Sequence, residues 1–459
     1  LSRTFYAVLI LLLLIAATVA GVVVWNRDWD EGETAYVPRQ AVITPEVELL
    51  REYVRIDTSN PPGKELAGAD FLVRLLQKSG VKAEIIESSP GRANVYARIR
   101  GRRSGEGLLL LHHIDVVPTD GEGWKHPPFE AKVALNMIWG RGTLDMKSIG
   151  ICEALAFISV ATSGRSPERD VIFLATADEE EGSLLGMQWL LEHRPDIFEG
   201  VRYALNEGGV TEVVREDLAY FAIEIGSKQL VRLRVRSSER AALEKTRIFL
   251  EPRFSPRDPD RITPEVRQYF RAIAPRRKEG GEILADVDRA VADGKFWSLA
   301  APYRALTQNN LYALGIEQEA GGGFGMTVYL QNLPDEDPST RIRAFREMLA
   351  DRNVTVEVQH EMGPTRISSA ETSFYRSVES SVQKMYGQQV HVGPMLLPYA
   401  TTDCRYLRAR GVDCYGLWPF PVDYFQSTGI HGADERIRLD WFMKGVELTR
   451  TLVLGHAGL

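Results

Sequence analysis

Residues 107–117 read GLLLLHHIDVV, four consecutive leucines running into two histidines and an aspartate. An uninterrupted apolar run of strand length, opened by a glycine, predicts a β-strand buried on both faces. Such a strand needs cover on both sides, which points to helices packed against both faces of a largely parallel sheet. The flanking sequence supplies the parts. DVIFLATA (170–177) and VRYALNE (201–207) repeat the buried-strand texture, while SIGICEALAFISVAT (148–162) and GMQWLLEHR (186–194) have helical length and spacing. Upstream, PEVELLREYVRI (45–56) and GADFLVRLLQKSG (68–80) read as helices, and VKAEIIES (81–88) and NVYARIRG (94–101) as strands.

The texture changes after about Tyr220. LVRLRVRSS (230–238) and VTVEVQHE (354–361) alternate apolar and polar residues, as half-exposed strands do. Between them AALEKTRIFLE (241–251), TPEVRQYFRAIA (263–274) and PSTRIRAFREMLADR (338–352) read as helices, and GMTVYLQNL (325–333) as a strand. Two half-exposed sheet faces with two or three helices predict a small α+β, ferredoxin-like (split βαβ) domain. The α/β texture resumes with FYRSVESSVQKMYG (374–387). The expected plan is one discontinuous α/β domain, residues 44–221 and 363–459, interrupted by an insert over 222–362.

Residues 5–25, FYAVLILLLLIAATVAGVVVW, carry no charge and form a helix of roughly 30 Å at about 1.5 Å per residue, the thickness of a bilayer core. They follow a short tail (1–4) and precede a polar tether (26–43). The segment reads as a membrane anchor or, with Thr18 and Ala20 as small residues near its end, a cleaved signal peptide. Either reading places the remainder outside the cytoplasm. With 55 Lys and Arg against 62 Asp and Glu, the chain has no basic excess with which to neutralise phosphates, so nucleic acid is excluded as an expected partner. Three cysteines among 459 residues (Cys152, Cys404, Cys414) cannot build a disulfide framework, and none form a Cys-x-x-Cys pair. One disulfide stays open, with buried free thiols the expectation.

Four polar clusters each follow or adjoin a buried strand, where α/β proteins place ligands. In HHIDVVP, His113 and Asp115 lie two apart and so share a face, leaving His112 to point elsewhere. A carboxylate behind a ligating imidazole fixes its tautomer and raises its basicity. GRGTLDMK places Asp145 before a helix, ATADEEEGS ends a strand on Asp178, Glu179, Glu180 and Glu181, and ALNEGG ends one on Glu207 with two glycines behind it. STGIHGADER adds the loop residue His431. Singly these suit a buried His–Asp pair, a helix cap, an acidic helix start and a turn. Together, two histidines with Asp and Glu and no Cys form an oxygen–nitrogen set suited to zinc, or to cobalt or manganese in its place. A spare carboxylate beside the ligands is what metal-assisted hydrolysis needs for proton transfer.

In order along the chain stand H-x-D-V-V-P (113–118), W-x-H-P-P-F (124–129), G-R-G-x-x-D-x-K (140–147), D-E-E-x-G-S (178–183), N-E-G-G (206–209), T-T-D-C-R (401–405) and I-H-G-A-D-E-R (430–436). This set resembles the aminoacylase, carboxypeptidase S and acetylornithine deacetylase family of cocatalytic dizinc hydrolases over roughly residues 45–455. W-x-H-P-P-F and Y-G-L-W-P-F (415–420) lean toward the carboxypeptidase S-like branch. The resemblance implies a three-layer zinc-peptidase domain with an inserted lid or dimerisation domain, and therefore a possible homodimer. It assigns His113, Asp145 and Glu207 to one zinc and Asp145, Glu180 and His431 to the other. Asp145 is then the bridge, Asp115 the partner of His113, and Glu179 the general base that takes a proton from water held by the two metals. The implied substrates are small peptides, cleaved as by a carboxypeptidase, or N-acyl amino acids.

The insert departs from the family pattern. Where a Gly-His-x-Ser-x-Pro segment supplies an oxyanion-stabilising imidazole, this chain has VRSSERAALEK (235–245), and no histidine lies between 194 and 359. Arg234, Arg236 and Arg240 are the nearby cations that would have to substitute. The arginine expected before Leu-Pro in the later strand is Gln331, which hydrogen-bonds a carboxylate without offering a charged fork. Gln331, with Asp403 and Arg405, completes the expected substrate-binding set, and selectivity for a free carboxylate is expected to weaken. The alternative is a homologue that keeps its metals but, with a degenerate lid, serves as a binding or assembly protein.

Overall fold

The strands fall into three sheets in the computed structural model, which describes residues 42–459 apart from 120–122, 210, 215–216, 252–260, 278–279, 300, 335, 362–365, 399–400 and 423–428. The apolar segment 5–25 lies outside the described residues. Among those described, no helix is long and apolar enough to cross a membrane.

In chain order the strands are β1 (Glu84–Ser89), β2 (Arg92–Ile99), β3 (Gly107–His113), β4 (Lys132–Ala134), β5 (Met137–Trp139), β6 (Val171–Thr176), β7 (Val201–Asn206), β8 (Glu212–Val214), β9 (Asp217–Ser227), β10 (Gln229–Ser237), β11 (Asn310–Gln318), β12 (Phe324–Asn332), β13 (Thr355–Glu361), β14 (His391–Leu397), β15 (Asp413–Gly416) and β16 (Arg436–Arg438). The large sheet runs β1-β2-β6-β3-β7-β15-β9-β14, with β8 beside β9. Its centre, β6-β3-β7-β15, is parallel. The leucine run of β3 explains the layering. Leu108 and Leu110 face one core, with the helices Lys147–Ala161 and Leu439–Ala457, whereas Leu109 and Leu111 face the other, with Met187–His193 and Cys404–Arg408. Each such fully buried leucine contributes about 1.5–3 kcal/mol of burial.

The insert is the expected split-βαβ unit. Its sheet is β11-β12-β10-β13, and the helices Arg240–Leu250 and Pro338–Met348 cover one face through Leu243, Leu250, Ile342 and Phe345. Two expectations need correction. The chain passes from the large sheet to the small one at Lys228 rather than at residue 222, because Tyr220–Ile225 is buried throughout and continues the large sheet as β9. The helix Pro264–Ile273, expected within the insert, packs on the large domain instead. Its stripe of Val266, Tyr269, Phe270 and Ile273 joins the core that contains Tyr220, with the Tyr220 and Tyr269 rings 5.2 Å apart. The helix-bearing face of the small sheet is already filled, so this stripe has to find its cover elsewhere.

The cysteines give a third correction. Cys404 and Cys414 form a disulfide across a Cα separation of 5.4 Å, because the helix starting at Cys404 turns directly back into β15, and only Cys152 stays a free buried thiol. Beside this bridge Arg408 donates to both carboxylate oxygens of Glu224 at 2.8 and 2.6 Å, with both side chains wholly buried. Removing one member strands the other charge in the interior. Glu224→Ala is therefore expected to destabilise the fold by about 3–5 kcal/mol, measurable as a lowered urea midpoint. A loss under 1 kcal/mol would mean that water reaches the pair.

Candidate metal centre

Because β6, β3 and β7 run parallel, their C-terminal ends open on one edge, and the acidic clusters meet there. His113 ends β3, Glu179 and Glu180 follow β6, and Glu207 follows β7. Asp145 arrives on the loop ahead of the helix Lys147–Ala161, and His431 on the loop ahead of β16. The His113 Nε2 lies 3.0 Å from Asp145 Oδ1 and 3.6 Å from Glu207 Oε1. On the other side, His431 Nε2 lies 3.1 Å from both Asp145 Oδ2 and Glu180 Oε2. Two donor triads result, His113–Asp145–Glu207 and Asp145–Glu180–His431, each with its donor atoms within 4.8 Å of one another and with Asp145 common to both.

Other side chains hold this arrangement. The His113 Nδ1 is 2.8 Å from the Asp115 carbonyl and 3.5 Å from its carboxylate. That carboxylate also accepts from the backbone N–H groups of Glu179 and Glu180 at 3.1 and 3.2 Å, so Asp115 positions the acidic turn as well as the imidazole. Asn60, which the sequence did not single out, donates to both Asp115 and Asp178. Glu435, read only as part of I-H-G-A-D-E-R, is buried and accepts from Arg141 and from the backbone of Gly142, Leu144 and Asp145, tying the His431 loop to the Asp145 loop. Gly208 and Gly209 follow Glu207 at φ +124° and +86°, and a Cβ on Gly209 would run into the Ala222 carbonyl. Only glycine passes there. His112 faces away toward Glu153, at 3.2 Å.

The electrostatics call for cations. Burial, reinforced by the neighbouring carboxylates, pushes Glu207 and Glu179 well above the usual carboxylate range. Burial and the Asp145 charge push Glu180 up to about 7, while hydrogen bonds to Asp145 and Glu180 push His431 up to about 11. Burial opposes charge on His113, but its bonds to Asp115 and Asp145 carry it well above the usual imidazole range. Four carboxylates thus crowd two histidines, and the buried Glu180 Oε1 has no hydrogen-bond partner. An oxygen–nitrogen donor set with no thiolate and a surplus of negative charge fits two divalent ions of the zinc, cobalt or manganese type.

Glu179 is in neither triad. Its Oε1 lies 4.0 Å from Arg405 Nη1, and its side chain is largely buried beside the ligands. Asp403 is turned inward, where Thr176 (3.1 Å) and Ser183 donate to it, so it braces the end of β6 rather than facing a ligand. Gln331 is buried on β12 opposite Leu230 of β10. The three arginines expected to stand in for the missing lid histidine are engaged within the small domain. Arg234 and Arg236 bind Glu319 at 2.9 and 2.8 Å, and Arg240 binds Glu244 at 3.0 Å.

The model of peptidase family M20/M25/M40 matches residues 109–455. Aminoacylase-1 of Sus scrofa is 26% identical over 432 residues, covering 90% of this chain and 96% of that protein, and aminoacylase-1 of Homo sapiens is 26% identical over 424 residues, covering 89% and 94%. Among solved structures, an M20 family metallo-carboxypeptidase from Sulfolobus solfataricus superposes with a TM-score of 0.70 at 18% identity, covering 91% of this chain and 100% of that one. Human carnosine dipeptidase 1 gives 0.68 at 16% identity, covering 90% and 96%. At such identities the superpositions speak for the fold.

Proposed function

From the premise that this chain belongs to peptidase family M20/M25/M40 and is a metallohydrolase of the aminoacylase–peptidase type, we propose that it cleaves the amide bond of small peptides or N-acyl amino acids at a centre of two zinc ions. The observation that carries this reading is the sharing of Asp145 between two donor triads, with Glu179 buried beside them and left out of both. His113, Asp145 and Glu207 would hold one ion, and Asp145, Glu180 and His431 the other. Ions held there would supply polarisation of the amide carbonyl and a more acidic water. Glu179 accepts the proton of that water at Oε and returns it to the departing amine nitrogen. Asp115 keeps the His113 Nδ1 side occupied, so that Nε2 faces the centre, and it holds the Glu179–Glu180 turn through the two backbone N–H groups.

A panel of dipeptides and N-acyl amino acids, assayed with added zinc or cobalt, tests the reading. Amine release that a chelator abolishes is the expected result. Protein that binds two metal equivalents and turns over no member of the panel would instead be a binding homologue. W-x-H-P-P-F and Y-G-L-W-P-F favour a carboxypeptidase S-like member. The uncharged run 5–25 favours an enzyme anchored in a membrane or exported, with the hydrolase domain outside the cytoplasm. Cell fractionation is expected to find the full-length protein in membranes or outside the cell, and a cytosolic soluble pool would refute that placement. Pairing of two copies through the small domain is the arrangement expected by analogy with the family.

A further inference from the structure

W-x-H-P-P-F (124–129) supplies no ligand to either triad, yet it borders the loop that carries His431. The backbone N–H of Lys125 donates to Asp434 Oδ1 at 2.7 Å. The Trp124 ring lies 5.3 Å from the Arg141 guanidinium, and the His126 ring 5.4 Å from that of Trp139. Trp139 in turn pairs with Arg436 across β5 and β16, and that guanidinium stands 4.8 Å from the same indole. The Pro128 carbonyl accepts from the Arg141 N–H at 2.9 Å, and a Cβ on Gly140 would come within 2.8 Å of that oxygen. The motif therefore covers both flanks of the His431 loop, G-R-G on one side and the start of β16 on the other.

That loop needs such support. His431 and Asp434 hold φ of +60° and +61°, in the left-handed region, and the His431 side chain is half exposed. Non-glycine residues stay in that region only where their surroundings hold them. Most of the holding falls to Glu435. Its Oε1 accepts from the backbone N–H groups of Leu144 at 2.7 Å and Asp145 at 3.1 Å, and its Oε2 from Arg141 Nη1 at 2.8 Å and the Gly142 N–H at 3.0 Å. All four groups that meet the carboxylate are donors. They fill the acceptor sites of an ionised carboxylate, whereas a glutamine amide would turn its own N–H groups toward two of them. The ligands divide unequally over this arrangement. In the first triad His113 and Glu207 stand at strand ends, and only Asp145 depends on Glu435. In the second, both Asp145 and His431 depend on it, and only Glu180 does not.

We propose that Glu435 is a positioning residue of the metal centre. Its carboxylate, with Arg141 and the Trp124 ring beside it, clasps the His431 loop to the Asp145 loop and so sets metal affinity chiefly at the Asp145–Glu180–His431 triad. The assignment rests on the two-ion reading above and deepens it, giving W-x-H-P-P-F a part in the centre although it contributes no ligand.

In the test, zinc-loaded protein is titrated with a competing chelator and the two dissociation steps are read separately. His431→Ala identifies the step of the second triad, and Glu207→Ala that of the first. Glu435→Gln is expected to weaken the His431-dependent step by about 10–100-fold, the usual effect of removing a group that orients a ligand, and to weaken the Glu207-dependent step less. Trp124→Leu, a change at a partly exposed residue, is expected to weaken the same step to a smaller extent, and it decides the matter if Glu435→Gln fails to fold. Asp413→Asn is the control. Its buried carboxylate pairs with Arg202 and Arg366, each at 2.8 Å, at the start of β15 and so at the sheet edge opposite the ligands. Asp413→Asn should lower the urea midpoint and leave both steps unchanged. If Glu435→Gln and Trp124→Leu keep both wild-type constants, or weaken both steps equally, the clasp is overturned. A wild type with fewer than two steps overturns it together with the two-ion reading. If wild type shows two steps that shift as expected in the variants, yet turns over no member of the substrate panel, the clasp stands and the hydrolase reading falls.

Discussion

Asp145→Ala protein is expected to lose both metal equivalents together and, with them, all measurable turnover. The two carboxylate oxygens of Asp145 face opposite ways, Oδ1 toward His113 at 3.0 Å and Oδ2 toward His431 at 3.1 Å, spacings suited to two donors of one ion with bonds of about 2.0–2.2 Å. No other side chain belongs to both triads. Glu207→Ala and Glu180→Ala should each weaken one ion, whereas loss of Asp145 takes an anionic donor from both and also leaves the two cations unscreened from each other. A Lewis-acid metal contributes several kcal/mol to amide hydrolysis, and 1.4 kcal/mol corresponds to about tenfold, so a fall of roughly 10⁴-fold or more is expected. Elemental analysis of dialysed protein reads the metal directly, and circular dichroism separates site loss from unfolding. Asp145→Ala protein that keeps one tight equivalent would show that the triads are independent.

Much of this site was legible before any coordinates, for a physical reason. Strands buried on both faces are written as unbroken apolar runs, and a parallel sheet brings their C-terminal ends to one edge, so the polar residues that break those runs had to meet. His113, Glu179, Glu180 and Glu207 all follow from that rule. What escaped depends on tertiary detail. The stripe of Val266, Tyr269, Phe270 and Ile273 announces a helix with one buried face, but nothing in it specifies which sheet supplies the cover. Asn60 and Glu435 are ordinary polar residues in loops until the fold buries them against the acidic turn and the Asp145 loop. The bulge in β13 escaped as well, because VTVEVQHE reads as clean alternation and the one extra residue, Gln359, shows only in the strand pairing.

Glu179→Gln is expected to leave metal content unchanged and lower kcat by roughly 10²–10⁴-fold, the usual contribution of a positioned general base. The substitution keeps the size and shape of the side chain and leaves the backbone N–H of residue 179 to hold Asp115 as before. Its neighbour supplies the internal control. Glu180 is bonded to His431 in the second triad, so Glu180→Gln should reduce affinity for one ion while the other stays bound. Adjacent carboxylates in one turn can differ this sharply because residue 180 reaches the metal ligands, whereas residue 179 lies toward Arg405. The KM of Glu179→Gln should change little, since the proton it handles moves only as the amide reacts. Equal metal loss in both variants would show that the two carboxylates have been assigned the wrong way, or that both are ligands.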